Sequence, residues 1–131
     1  NIIALYDNFK SYALKFLHTD NIKMIFEENI ENNRKIDPTT SSGIFRIMQE
    51  ALQNIHKHAH ATKVEVNIIS KQKIVILIKD NGKGFDVKNI TAFKGAGWTN
   101  IQNRINYLKG KIQVDSAPTE GTSVNIEIPL T

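Results

Sequence analysis

Glu50, Asn54 and Lys57 follow one another at spacings of four and three residues, in a segment whose apolar residues recur with a helical period. At about 100° per residue, Ile44, Ile47, Met48, Ala51, Leu52, Ile55 and Ala59 fall on one face, and the acid, the amide and the cation fall together on another. Each of these three groups suits chemistry on a phosphate. An amide oxygen is a hard ligand for Mg²⁺, which keeps most of its waters and draws the rest of its shell from phosphates. A carboxylate one turn earlier can accept a proton from an attacking nucleophile. A lysine one turn later can neutralise phosphate charge. Taken alone, such a stripe is more often a solvated face with helical side-chain pairing, so its meaning depends on the chain downstream of it.

Downstream lies a loop rich in glycine. Asp80-Asn81-Gly82-Lys83-Gly84-Phe85 comes directly after an apolar run, and four of the seven glycines (Gly82, Gly84, Gly95, Gly97) lie between residues 80 and 97. Asn-Gly after a strand ordinarily signals a tight hairpin. Two features argue otherwise: Gly84 permits close approach of the backbone to a flat ligand, and Lys88, Asn89, Thr91 and Lys94 break any returning alternation. A carboxylate at the strand end, Asp80, could accept a hydrogen bond from an exocyclic amine and so tell adenine from guanine. Gly95-Ala96-Gly97 opens a helical segment at Trp98, where free backbone N–H groups can bind phosphate. The loop lacks the Gly-Lys-Ser/Thr ending of a Walker motif and the third glycine of a dinucleotide fingerprint.

Other classes are excluded more simply. His56 and His60 are one turn apart, but no cysteine or carboxylate is spaced to complete a zinc site. The net charge of +4 comes from scattered lysines without interleaved aromatics, which describes a solvated basic surface and no nucleic-acid partner. No cysteine is present, which suits a reducing cytoplasm. No apolar run reaches the roughly 18–20 residues that span a bilayer, so no direct membrane contact is expected. The 131 residues suffice for one domain; opening on Asn1, the chain reads as a piece of something longer.

The elements that must hold these residues can be read from periodicity. Residues 2–17 read as an amphipathic helix, 23–28 as a short strand, 43–59 as the central helix and 98–108 as another. The turn 37–42 offers capping hydroxyls to the central helix, and Gly110 offers a C-cap. Lys63–Ile69, Lys73–Lys79, Lys111–Asp115 and Thr122–Ile128 read as strands.

The order of the pieces resembles a known family. Glu50-x-x-x-Asn54, Asp80-x-Gly82-x-Gly84, Gly95-x-Gly97 and Gly121-Thr122 are similar to the N, G1, G2 and G3 boxes of the Bergerat-fold ATPases. Gln49-Glu50-Ala51-Leu52-Gln53-Asn54-Ile55-x-Lys57-His58-Ala59 looks like the N box of sensor histidine kinases paired with LuxR-type response regulators. The resemblance implies an α/β fold: a two-layer sandwich of a mixed, mostly antiparallel sheet with about three helices on one face. It implies ATP and Mg²⁺ as cofactors, with Asn54 binding the metal and Glu50 assisting the nucleophile. Lys57 would approach the phosphates, Asp80 would bind the adenine amine with Gly84 and Thr122 lining the base pocket, Gly82 would belong to the same nucleotide-binding set, and Gly95 and Gly97 would bound the triphosphate. Residues 87–96 would form the lid. Trp98 stands where the family more often has leucine, and Phe93 is the one candidate for a phenylalanine box. Residues 1–18 would lead into the domain or continue a preceding dimerisation helix, and 19–131 would be the catalytic domain.

Two functions from different classes fit this pattern. The first is phosphoryl transfer from Mg·ATP to a histidine on separate dimerisation helices, with a response regulator downstream, in a cytoplasmic part of a homodimeric kinase. His18-Thr19-Asp20 is a poor match for the acceptor, so the isolated chain is expected to be a monomer that binds ATP without labelling itself. The second is a nucleotide-gated regulatory module with little transfer activity, against which the intact Glu50 and Asn54 argue.

Overall fold

The computed structural model describes residues 1–16, 22–31, 33, 35–58, 62–82, 96–116, 119 and 121–129, with the backbone alone for 54–58 and 96–98. Its elements are α1 (Ile2–Phe16), β1 (Lys23–Ile30), α2 (Pro38–His58), β2 (Lys63–Ser70), β3 (Lys73–Asp80), α3 (Ala96–Tyr107), β4 (Lys111–Ser116) and β5 (Thr122–Pro129). The strands form one mixed sheet in the order β1-β2-β3-β5-β4. Only β1 and β2 are parallel; the remaining pairs are antiparallel. A parallel pair needs a crossover, and α2 supplies it.

The side-chain period of two decides what faces the helices. Val64, Val66 and Ile68 of β2, Ile74, Ile76 and Ile78 of β3, and Val124, Ile126 and Ile128 of β5 are all buried. Asp80 and Thr122 have the same parity as these residues and are carried inward with them, at 3% and 5% exposure. From the other layer come Ile44, Ile47, Met48, Ala51 and Leu52 of α2, and Ile101 and Ile105 of α3. Each Val, Ile, Leu or Met among them contributes about 1.5–3 kcal/mol relative to exposure. The apolar face read for the central helix is therefore the core face through Leu52; Ile55 and Ala59 lie outside the described side chains. The α1 helix joins the same cluster through Ile2, Leu5, Tyr6, Phe9 and Ala13. Phe45 of α2 sits edge-on to both Phe9 and Tyr12, and Gln53 donates to the Tyr12 hydroxyl at 3.2 Å.

Three boundaries differ from the sequence reading by two residues or more. The α2 helix begins at Pro38, five residues early, because its cap is the Asp37 carboxylate, which accepts from the Thr40 N–H at 2.8 Å and the Thr40 hydroxyl at 2.7 Å. Proline at the first helical position costs nothing, since its missing N–H would have no helical partner there. The expected capping hydroxyls thus lie inside the first turn. The β1 strand runs on to Ile30, following β2 in register to Ser70. The α3 helix starts at Ala96, placing Gly97 in its first turn.

The C-terminus of α3 also corrects the expectation for Gly110. The Gly110 N–H bonds the Ile105 carbonyl at 2.9 Å and the Lys109 N–H bonds that of Asn106 at 3.1 Å, which makes a Schellman motif with Lys109 as its left-handed residue, φ 58°. Gly110 is required for space instead: a Cβ there would stand 2.5 Å from the Glu127 carbonyl oxygen. Replacing Lys109 with glycine should relieve the left-handed strain and stabilise the protein by about 0.5–1 kcal/mol, read as a raised denaturant midpoint at unchanged slope.

Candidate functional site

Strand direction gathers the singled-out residues at one end of the molecule. Asp80 closes β3 beside Val64, which is near the start of β2, and beside Thr122, which starts β5. Thr122 in turn pairs with Ser116, the last residue of β4. The α2 helix must run against β2 to return the chain to Lys63, so its C-terminal turns, with Asn54 and Lys57, finish at this same end. The twelve residues of α3 span about 18 Å and the six of β4 about 20 Å. Since β4 begins at the opposite end, opposite Glu127, the N-terminus of α3 with Gly97 returns to the Asp80 end. The two helices are antiparallel, and Leu108 covers Gly43 at their far ends.

At the centre of this end is the Asp80 carboxylate. Its Oδ1 accepts from the Gly82 N–H at 2.7 Å, closing a turn over the strand end. Its Oδ2 is buried and has no hydrogen-bond partner among the described residues. Burial pushes its pKa above the usual carboxylate range, opposed by the backbone N–H groups of Gly82 and Thr122. A buried acceptor without a donor is costly, and such a cost is tolerated where a ligand brings the donor. An exocyclic amine fits that requirement. Alongside, the Thr122 hydroxyl lies 3.0 Å from that of Ser116, and Ser116 donates to the Gly121 carbonyl at 2.9 Å.

Gly121 permits this arrangement. Its φ of +81° belongs to the left-handed region, and a Cβ there would collide with the Asp80 carbonyl oxygen and approach the Asn81 Cα to 3.2 Å. The G3-like glycine is therefore the point where the β4–β5 connection rests on the end of β3.

The structure also assigns Asn81 a role that the sequence reading gave to a turn. Its Oδ1 accepts from the N–H groups of Thr62 and Lys63 at 3.0 and 2.9 Å, and its Nδ2 donates to the Thr62 hydroxyl at 2.9 Å. The side chain thus ties the end of β3 to the segment arriving from α2. The only local sign was an Asn-Gly pair, which a hairpin uses as well; the strand that pairs with β3 on the edge opposite β2 is the distant β5. Ser116 lies one residue beyond the strand read over Lys111–Asp115, and nothing in the local sequence marks it.

Of the remaining expected site residues, Glu50 is half-buried on α2 and makes no hydrogen bond or ion pair among the described residues. Asn54 and Lys57 are placed on α2 by their backbone, and Gly97 on α3; the side chains of Asn54 and Lys57 lie outside the description. Gly84, Gly95, Phe93 and the expected lid through residue 95 lie outside the described residues, as do His18, Thr19 and Asp20.

Comparison with known proteins bears on the same arrangement. The sequence profile of the family described as histidine kinase-, DNA gyrase B-, and HSP90-like ATPase matches residues 39–131. The signal transduction histidine-protein kinase/phosphatase DegS of Brevibacillus brevis is 36% identical over 132 residues, covering 98% of this chain and 33% of that protein. DegS of Bacillus subtilis (strain 168) is 34% identical over 101 residues, covering 75% of this chain and 26% of that protein. The chain thus spans a third or less of these relatives' length. In fold, it is similar to the catalytic domain of histidine kinase ThkA, with a TM-score of 0.78 at 18% identity over 98% of this chain and 93% of that one.

Proposed function

Because this chain belongs to the histidine kinase-, DNA gyrase B- and HSP90-like ATPase family, we propose that it binds Mg·ATP at the Asp80 end of the sheet and donates the γ-phosphoryl group to a histidine of a two-component sensor kinase. The observation that carries this reading is the buried Oδ2 of Asp80, which has no donor among the described residues and which the amine of adenine would satisfy. Thr122 and the glycines Gly82 and Gly84 would border the base. Gly97, in the first turn of α3, would offer its N–H to the phosphates along with Gly95, where the helix dipole favours negative charge. Mg²⁺, held by the Asn54 amide oxygen and the phosphates, would screen charge during transfer.

Glu50 lies one helical turn before Asn54 and would take the proton from the attacking imidazole. Lys57, one turn after Asn54, would approach the phosphates, and residues 87–96 would cover the nucleotide. We read α1 as the helix that leads into the domain, since its apolar face is shared with the ATPase core. The acceptor histidine and the dimer contacts would lie on helices of the longer kinase, and a response regulator would take the phosphoryl group onward. No helix among the described residues is long and apolar enough to cross a membrane, and we place this part of the kinase in the cytoplasm.

Transfer is testable with the partner helices supplied separately. Mixed with dimerisation helices from a close relative and γ-labelled ATP, the protein should place acid-labile, base-stable label on their histidine and none on itself. Glu50→Gln should leave ATP binding within about threefold while slowing transfer roughly 10²–10³-fold. Nucleotide binding without label on the helices would instead favour a nucleotide-gated regulatory module.

A further inference from the structure

The Ser116 hydroxyl has one proton, and the Gly121 carbonyl can only accept, so the 2.9 Å contact between them uses that proton. In the 3.0 Å contact between the two hydroxyls the donor must then be Thr122. Thr122 is buried and is the register partner of Asp80 on the inner face. With its own proton turned toward Ser116, it has only lone pairs left for a ligand. The Asp80 carboxylate beside it also presents only an acceptor. The inner end of the site is therefore uniform in polarity across two strands, and the residue that makes it so stands on a third.

We infer that Ser116 is a specificity-positioning residue: it holds the Thr122 hydroxyl as an acceptor and so makes the site favour a purine with an amine at position 6 over one with a carbonyl there. This rests on the nucleotide reading above, and names a residue through which its base selection is set. Ser116 itself need not touch the nucleotide. A carbonyl oxygen placed against Asp80 and Thr122 would find two acceptors and no donor. An unsatisfied buried group is penalised far more than a satisfied one is rewarded, so discrimination comes chiefly from rejecting the carbonyl.

The test compares ATP with inosine triphosphate, which exchanges the 6-amine for a carbonyl. In Ser116→Ala the Thr122 proton loses its acceptor and can turn to meet the carbonyl. The ratio of the two dissociation constants should narrow about five- to tenfold. In a Thr122→Val background the same substitution should change the ratio by less than about twofold. A merely structural role would weaken both nucleotides alike in both backgrounds. Ser116→Thr, which retains the hydroxyl, should restore the original ratio, and Ser116→Cys, a weaker partner, should narrow it should the alanine variant fail to fold. An unchanged ratio in Ser116→Ala or Ser116→Cys, with ATP binding intact, overturns the inference alone. Absence of saturable ATP binding by the unsubstituted protein overturns the functional reading and the inference with it.

Discussion

Asp80→Asn should keep its fold and lose its nucleotide. The substitution preserves shape while replacing a buried carboxylate by a neutral amide. With its oxygen accepting from Gly82, the amide would aim N–H groups where Oδ2 now lies, so a donor would face the adenine amine. Losing a hydrogen bond to a charged acceptor and leaving polar groups unpaired should weaken ATP about 10²-fold or more. Stability should move the other way. Burial raises the folded-state pKa of Asp80, so its contribution is complete below the unfolded pKa and is lost as pH rises through the raised folded value. Near neutrality the ionised carboxylate therefore costs stability, which the amide does not. Denaturant midpoints at pH 7 should be equal or higher for D80N, and the gap should close on acidification. Because the amine of adenine favours the ionised carboxylate, ATP affinity of the unsubstituted protein should fall as Asp80 is protonated. A stable D80N that binds ATP normally would remove Asp80 from the site.

Gly121→Ala should damage both stability and binding, for reasons that can be separated. A left-handed φ costs a non-glycine residue about 1–2 kcal/mol, and the new Cβ would overlap the Asp80 carbonyl oxygen. Relieving that overlap must move the β4–β5 connection or the end of β3, giving a total of about 3–4 kcal/mol. Either movement disturbs Asp80 and Thr122, so the protein that remains folded should bind ATP poorly. Gly110→Ala provides the contrast. Its Cβ would also strike backbone, the Glu127 carbonyl oxygen at 2.5 Å, but at the opposite end of the sheet. Similar destabilisation with near-normal ATP affinity is expected there, from unfolding curves and titrations under conditions where both variants are folded.

Much of the fold was legible in the chain because local rules and global architecture agree. The strands of β2, β3 and β5 alternate strictly, and the same parity that buries Ile74, Ile76 and Ile78 predicts an inward Asp80. The core stripe of α2 through Leu52 came from a 3.6-residue period. The start of α2 was misplaced because Thr40, Ser41 and Ser42 are good caps, yet a carboxylate just before a proline took that position. Lys109 carries no sequence sign of its left-handed φ, since glycine is the usual residue there, and the neighbouring Gly110 is needed for packing. Asn81 and Ser116 could not be assigned locally, since their partners stand on other strands: Thr62 and Lys63 for one, Gly121 and Thr122 for the other. Their roles exist only once register is set. The family resemblance, carried by ordered boxes, held through residues 39–131.

Nucleotide binding at the Asp80 end is tested most directly by following the backbone amide resonances while Mg·ATP is titrated in. Saturable one-to-one shifts should concentrate at Asn81, Gly82, Gly97 and Thr122, with Lys111 and Glu127 at the far end unmoved. Saturation with shifts confined to the far end or the outer face of the sheet, or no saturable shifts at all, would contradict nucleotide binding at the Asp80 end.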